Sequence, residues 1–309
     1  MAKLETVSAG GLGRLPIRSR AGHKGTFGTV CIVGGCCSGQ VRYVGAPALA
    51  ALGALRSGCG LCRVLAPEPV IQSVLRIVPS ATGGALPVGR AGSVRSAAAV
   101  RAVVSQAAVS HAVVVGPGFG GGLGVEAVAH RAWRGLGVPL VLDADGLNAL
   151  ASMGRAKKAG GATVITPHPG EAKRLMAALG HSGDPTHERS RPRIAAELAG
   201  ALGCVVVLKG AGTIVSDGER VYHNLSGGPW LATGGTGDVL AGVIGGLLAQ
   251  HVASGGGTDT REVFRLAGIG VLVHGRAGDR WAKVQRATGG MLAAELAEGV
   301  AREVERLRA

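Results

Sequence analysis

Residues 232–238 read Ala-Thr-Gly-Gly-Thr-Gly-Asp and run directly into a long apolar stretch. Glycines let backbone N–H groups converge, and the N-terminus of a following helix adds positive potential. Gly235, Thr236 and Gly237 therefore form a candidate anion hole for phosphate oxygens. Asp238 sits oddly there, because a carboxylate repels an anion unless its task is to take a proton from a hydroxyl that attacks phosphorus. The same acid could instead cap the helix, and the turn alone does not choose between the two. It does exclude other chemistry. The Lys that follows the second Gly of a P-loop is absent, and so is a Gly-x-Gly-x-x-Gly with an acid about twenty residues on.

Other segments carry similar small or polar groups. Gly116-Pro117-Gly118 follows an apolar run and lets a ligand approach the backbone, although an ordinary turn reads the same way. His168 lies between two prolines, where a rigid loop could hold an imidazole against a hydroxyl or phosphate. Glu171 opens the next helical stretch, where the helix dipole favours a carboxylate with or without a ligand. Asp143 and Asp145 end another apolar run, and their roles stay undecided at this level. Lys209, Gly210, Ala211, Gly212 and Thr213 leave a further apolar run, with two glycines and a hydroxyl suited to a phosphate and ribose.

Gly-Thr-Gly-Asp at a helix start resembles the anion hole and catalytic base of ribokinase-like kinases. Within that superfamily, six further segments resemble the ADP-dependent (S)-NAD(P)H-hydrate dehydratases. They are His23-Lys24-Gly25, Tyr43-Val44-Gly45-Ala46-Pro47 with Leu55-Arg56-Ser57-Gly58, and Gly116 to Gly120. Leu142 to Asn148, Thr166-Pro167-His168-Pro169-Gly170-Glu171 and Leu208 to Thr213 follow, so the matches run in order along nearly the whole chain. The resemblance implies a ribokinase-like three-layer αβα fold, with a mostly parallel sheet, helices on both faces and a β-hairpin in its C-terminal half. It implies a nucleotide-repair lyase that returns the S-form of hydrated NADH or NADPH (NADHX, NADPHX) to NADH or NADPH. ADP, or ATP, would be the co-substrate with Mg2+, and AMP and phosphate the products. Asp238 would be catalytic and would share the hydrate with Ala46, Gly118 and His168. Lys209 to Thr213 together with Gly237 would hold the AMP moiety, and Glu171 would organise magnesium through water. A homo-oligomer, with a tetramer as one form, and a hydrate epimerase on a separate chain belong to the same expectation.

The resemblance also has gaps. Residues 36–42 form a longer loop without the family's acids, Ser80 stands where the family has an acid, and Gly228 and Trp230 replace small residues before the anion hole. Trp230 is expected to narrow the site. Two rivals remain, a thiazole- or hydroxymethylpyrimidine-type kinase that stops at the phosphorylated alcohol and a nucleotide-binding relative without turnover.

The elements that must position these groups follow from the hydrophobic pattern. Short apolar runs at 29–33, 61–65, 112–115, 140–142, 163–166 and 205–208 lack the alternation of half-exposed strands, as strands buried on both faces should. Helical stretches at 47–56, 125–134, 171–178 and 193–202 fall between them, which predicts right-handed crossovers. Asp217-Gly218 between 213–216 and 221–224 predicts a hairpin. Two apolar helices at 236–250 and 261–277, a loop at 254–257 and an amphipathic tail at 291–308 complete the chain. The expected organisation is one domain over 1–309, with 1–20 as a short arm.

Composition bounds the partners. The 309 residues are 47% hydrophobic and 17% charged, with 55 glycines and 3% aromatics, so Ala, Val and Leu must fill the core. The net charge of +14 suits an anionic ligand. The basic residues are dispersed, with only a short cluster at Arg189, Arg191 and Arg193 and no aromatics for base stacking, so no specific nucleic-acid partner is expected. The longest charge-free apolar runs, 44–55 and 239–249, fall short of the roughly 20 residues a membrane helix needs. Residues 1–13 lack the apolar core of a secretory signal, so the expected location is cytoplasmic. The six cysteines are expected to be reduced core residues, because neither Cys59-x-x-Cys62 nor Cys36-Cys37 has the second spaced pair or histidine of a zinc site.

Overall fold

The apolar runs that showed no alternation lie side by side at the centre of one sheet, buried on both faces. The computed structural model describes residues 4–154 and 157–308. The first half contains β1 (Glu5–Val7), β2 (Thr29–Val33), α1 (Gly45–Ser57), β3 (Leu61–Pro67), α2 (Glu68–Ile77), β4 (Thr82–Leu86), α3 (Ser96–Ala107), β5 (Ala112–Val115), α4 (Leu123–Trp133), β6 (Leu140–Leu142) and α5 (Asp145–Ser152). The second contains β7 (Thr163–Ile165), α6 (Pro169–Leu179), α7 (Arg191–Leu202), β8 (Val205–Leu208), β9 (Ile214–Ser216), β10 (Arg220–His223), α8 (Thr236–Ala253), α9 (Thr260–Gln285) and α10 (Ala293–Glu305).

Among the described residues the sheet has ten strands, in the order β1-β10-β9-β8-β7-β6-β5-β2-β3-β4. Every pair from β8 through to β4 is parallel, and β9 is antiparallel to both β8 and β10. Alternate residues feed two separate cores. Val30, Ile32 and Val114 pack under α1, α8 and α9, while Cys31, Val33, Val113 and Val115 pack under α3 to α7. The three-layer α/β expectation is therefore met, and the hairpin forms as β9 and β10.

The described part of the short arm expected over 1–20 is tied to the rest of the fold. β1 pairs with β10 at the sheet edge, Leu12 is buried, and Leu15 bridges to the chain's last described turn. β4 also escaped the hydrophobic pattern, because Thr82-Gly83-Gly84 is a largely exposed edge.

Chain order reverses between β2 and β5, from which β3 and β4 extend one way and β6 to β8 the other. At such a reversal, sheets of this kind hold ligands in a crevice beside the carboxyl ends of the strands; here the loops leaving β2 and β5 are tied to each other, with the Gly35 N–H donating to the Pro117 carbonyl at 3.0 Å. One wall is the pair α1 and α8, which approach closely because Gly53 faces the Val239 carbonyl and Gly242 faces the Ala50 carbonyl, with no room for a side chain at either position. No described helix is long and apolar enough to cross a membrane.

Candidate active site

The carboxyl ends of β5, β6, β7 and β8 deliver Gly116 to Gly118, Asp143, His168 and Lys209 to the crevice, and the start of α8 delivers Asp238. The turn before α8 has a fixed shape. Gly235 is the N-cap with φ +94°, a region that side chains rarely adopt, and any Cβ there would run into Leu49 of α1. Thr236 spends its hydroxyl inside the turn, donating to the carbonyls of Leu231 and Thr233 at 3.0 Å each. The backbone N–H groups of Gly235, Gly237 and Asp238 donate to no described residue, which leaves them for an anion. Of the expected anion hole, Thr236 is therefore the weakest member, since its own N–H lies 3.4 Å from the Thr233 carbonyl.

Asp238 does not cap the helix. The N-cap is Gly235, three residues earlier, and no side-chain capping bond forms. Burial, reinforced by the negative charge of Asp143 and opposed by Lys209, pushes the Asp238 carboxyl up to about 7. A base of that strength suits proton abstraction near neutral pH.

Lys209 is the hub of the cluster. Its Nζ lies 2.8 Å from Asp143 Oδ1 and 4.0 Å from Glu171 Oε2. A Cβ on Gly237 would sit 3.4 Å from the same Nζ, so the ammonium also reaches the anion turn. Burial alone would lower its pKa, but Asp143, Glu171 and Asp238 outweigh burial and raise it. Glu171 is buried and pushed up to about 7 by loss of water, despite the pull of Lys209. It forms a reciprocal cap with His168: the His168 N–H donates to Glu171 Oε2 at 2.7 Å, and Gly170 N–H donates to His168 Nδ1 at 2.9 Å. Burial, with Lys209 and Arg174 nearby, lowers the imidazole's pKa, and its remaining nitrogen, Nε2, lies 3.5 Å from Glu171 Oε1.

A second cluster lines the other wall. Asp145 begins α5 and accepts the Gly120 N–H at 2.7 Å, which fixes the loop carrying Gly118. Gly118 packs against Ala46 and Tyr43, so that a Cβ there would lie 2.9 Å from the Ala46 Cβ. The unassigned pair thus divides its work, with Asp143 facing the lysine and Asp145 holding a loop. They point apart because Ala144 between them has φ +47°, strained for a residue with a side chain.

A family model described as NAD(P)H-hydrate dehydratase matches residues 30–302. The chain belongs to this family. Among other members, the ADP-dependent (S)-NAD(P)H-hydrate dehydratase of Neisseria meningitidis is 36% identical over 91% of the chain and 86% of its own length. The bifunctional NAD(P)H-hydrate repair enzyme of Moorella thermoacetica is 36% identical over 92% of the chain. The chain spans about half the length of such bifunctional relatives, 50% in that case. The ADP/ATP-dependent NAD(P)H-hydrate dehydratase of Bacillus subtilis, co-crystallized with ATP/Mg2+, superimposes with a TM-score of 0.75 at 28% identity, covering 99% of this chain and 100% of that one.

Within this dehydratase fold, Asp238, Lys209, Gly237, Glu171 and His168 converge on one side and Ala46 with Gly118 on the other. Gly210 to Thr213 continue from Lys209 along the same side. The indole of Trp230 packs on Gly278 of α9, with Nε1 3.1 Å from where a Cβ on Gly278 would lie. The 36–42 loop is largely self-contained: Arg42 Nη1 donates to the carbonyls of Cys37, Gly39 and Val41. All six cysteines are free and buried.

Two supporting residues escaped the sequence reading. His274 in α9 is buried, and its Nε2 lies 2.9 Å from the Thr236 carbonyl beneath the anion turn; burial pushes its pKa down to about 4, so the ring stays neutral. A histidine at the end of the apolar run 266–273 is too common a pattern to have marked it. Arg191 was read only as part of a surface charge cluster, yet it is buried, with its guanidinium under the loop after β8.

Proposed function

We propose that this chain dehydrates the S-form of hydrated NADH and NADPH at the expense of ADP. One observation carries the reading: Asp238, uncapped and pushed up to about 7, stands at a turn with free N–H groups and faces the Lys209 ammonium. Asp238 takes the proton from the hydrate's hydroxyl as that oxygen attacks the terminal phosphorus of ADP. The N–H groups of Gly235, Gly237 and Asp238 donate to the phosphoryl oxygens as charge develops on them. AMP departs, the ring-nitrogen lone pair expels phosphate from carbon to leave an iminium, and the adjacent ring carbon gives up a proton to water or to the released phosphate, restoring the dihydropyridine. Ala46, Gly118 and His168 Nε2 bound the space for the hydrate, while Lys209 to Thr213 and Gly237 hold the nucleotide.

Mg2+ belongs to the same proposal. No three His, Cys, Asp or Glu side chains among the described residues form a metal cage. Mg2+ ordinarily needs only one or two carboxylates beside nucleotide phosphates. Glu171 fits that role, because a buried carboxyl held near 7 is one that an arriving cation would ionise. Bound there, the ion would neutralise phosphate charge. A homo-oligomer, a partner epimerase and a cytoplasmic setting are further parts of the proposal, the second supported by the bifunctional relatives.

Incubation with hydrated NADH and ADP, followed by the returning absorbance of the dihydropyridine, tests the reading. Stoichiometric NADH, AMP and phosphate are expected. A stable phosphorylated alcohol would show a kinase instead, and nucleotide binding without turnover would show an inactive relative.

A further inference from the structure

We propose that Arg191 is a positioning residue that shapes the loop 209–213 into a phosphate-binding concavity by turning its carbonyls inward. The inference rests on the nucleotide-side assignment of that loop made above.

Arg191 opens α7, and its residue is only 4% exposed. Among the described residues no carboxylate lies within ion-pair distance of it, although the charge of Glu188 acts on it. Its guanidinium instead donates to backbone carbonyls, with Nη2 2.9 Å from Leu208 O, 3.2 Å from Lys209 O and 3.3 Å from Gly212 O, and Nη1 3.4 Å from Pro185 O. A buried guanidinium is costly to desolvate unless its donors are used; Nε has no partner among the described residues, so the Nη bonds must offset that cost, and they fix where the loop's oxygens point. Drawing three carbonyls of one short loop toward a single cation turns the intervening N–H groups the other way. Those of Gly210, Ala211 and Gly212 donate to no described residue. Successive free N–H groups around a bend form an anion-binding concavity. Gly210 completes the arrangement, since its φ is +140° and a Cβ there would lie 2.6 Å from Arg191 Nη1. Lys209, at the start of the same loop, is held by Asp143 at 2.8 Å. The loop therefore has two anchors, and Arg191 is the one that governs its backbone.

The test compares nucleotide and hydrate affinity in Arg191→Met, Arg191→Lys and Gly210→Ala, using ADP calorimetry, the hydrate KM and Tm. Losing charge-assisted bonds to the loop should weaken ADP by roughly 10- to 100-fold in Arg191→Met. The hydrate KM should not move, and Arg191→Lys should recover part of the loss by reaching one carbonyl. Gly210→Ala keeps the arginine but displaces it, so the same nucleotide-selective loss is expected, and it decides the matter if the Arg191 variants fail to fold. Unchanged ADP affinity in any folded variant would overturn the proposal. So would equal losses for ADP and hydrate, the pattern of a merely structural residue. A wild-type protein that binds no ADP would bring down the proposed function itself. A wild type that turns over normally beside unaffected variants removes only the role of Arg191.

Discussion

Two glycine-rich loops meet on one side of the crevice, and they are held in place by opposite means. The turn before α8 is clamped by packing: Leu49 and Ala293 close around Gly235, and the neutral ring of His274 supports it from below. The loop after β8 is clamped by charge, through the guanidinium of Arg191 and the Asp143–Lys209 ion pair. The packed loop carries the carboxylate proposed to take the proton, and the charged loop carries the ammonium that tunes it. Both loops offer free N–H groups, one set held by shape and the other by polar anchors.

The largest expected effect falls on the acid of the packed loop. Asp238→Asn should lower kcat by roughly 10²- to 10⁴-fold, since an amide cannot take the proton. ADP affinity should persist, because the turn's shape does not depend on that side chain. A variant that binds ADP and still turns over hydrated NADH at the normal rate would leave this loop no catalytic part.

The contrast between packing and charge can be read within the turn itself. Gly235→Val forces a branched side chain into Leu49 at φ +94°, so overpacking together with backbone strain should cost about 2–4 kcal/mol in urea unfolding. Gly237→Val lies in helical backbone with only the Lys209 Nζ nearby, at 3.4 Å. It should unfold at nearly the wild-type urea concentration while ADP affinity falls. If both variants lose stability equally, the turn is not held by packing at Gly235.

A smaller effect is the pH dependence of stability. In the folded protein the Asp238 carboxyl is raised from 3.8 to about 7 and that of Glu171 from 4.5 to about 7. Through that window the folded chain binds more protons than the unfolded chain, so this contribution is full below the ordinary values and is lost as pH rises to about 7. His274, lowered from 6.5 to about 4, works the other way and strengthens the fold as pH rises to 6.5. Comparing wild type with Asp238→Asn isolates the acid. The variant's advantage in Tm should grow with pH up to about 7 and then level off. A difference that stays flat across that range would mean that Asp238 is well solvated.

The smallest effect is expected at Ala144, between the acids that serve the two walls. Relief of its φ +47° strain by Ala144→Gly is worth about 1–2 kcal/mol, and the added freedom of the unfolded chain takes back ~0.4–1 kcal/mol. A slight stabilisation is expected, measured by urea unfolding. A clear loss would show that the alanine methyl is itself part of the packing.

The central strands were legible because burial on both faces leaves an uninterrupted apolar run, and β5, β6 and β8 begin and end where that pattern predicts. β1 and β4 were not, since edge strands need no apolar face and theirs are polar or glycine-rich. Asp238 and Lys209 were legible through local motifs that any fold must place at a loop. Arg191 and His274 were not, because their meaning lies in carbonyls brought to them from 17 and 38 residues away. Separation of that kind leaves no local trace, and a buried cation in a basic chain looks like any other surface charge until its neighbours are known.

The glycine contacts between α1 and α8 join two parts of the crevice that could otherwise drift apart. α1 begins at the hydrate wall, with Ala46, and α8 begins at the phosphate wall, with Asp238. Backbone touching backbone at Gly53 and Gly242 leaves no layer of side chains to slip or rotate between them. The pair behaves as one stiff lever, so the spacing between hydroxyl and acid is set when the chain folds and not when the ligands arrive. Much of the entropy of bringing the reacting atoms into line is then already lost before binding, and what remains for the ligands is to fill a gap of fixed width.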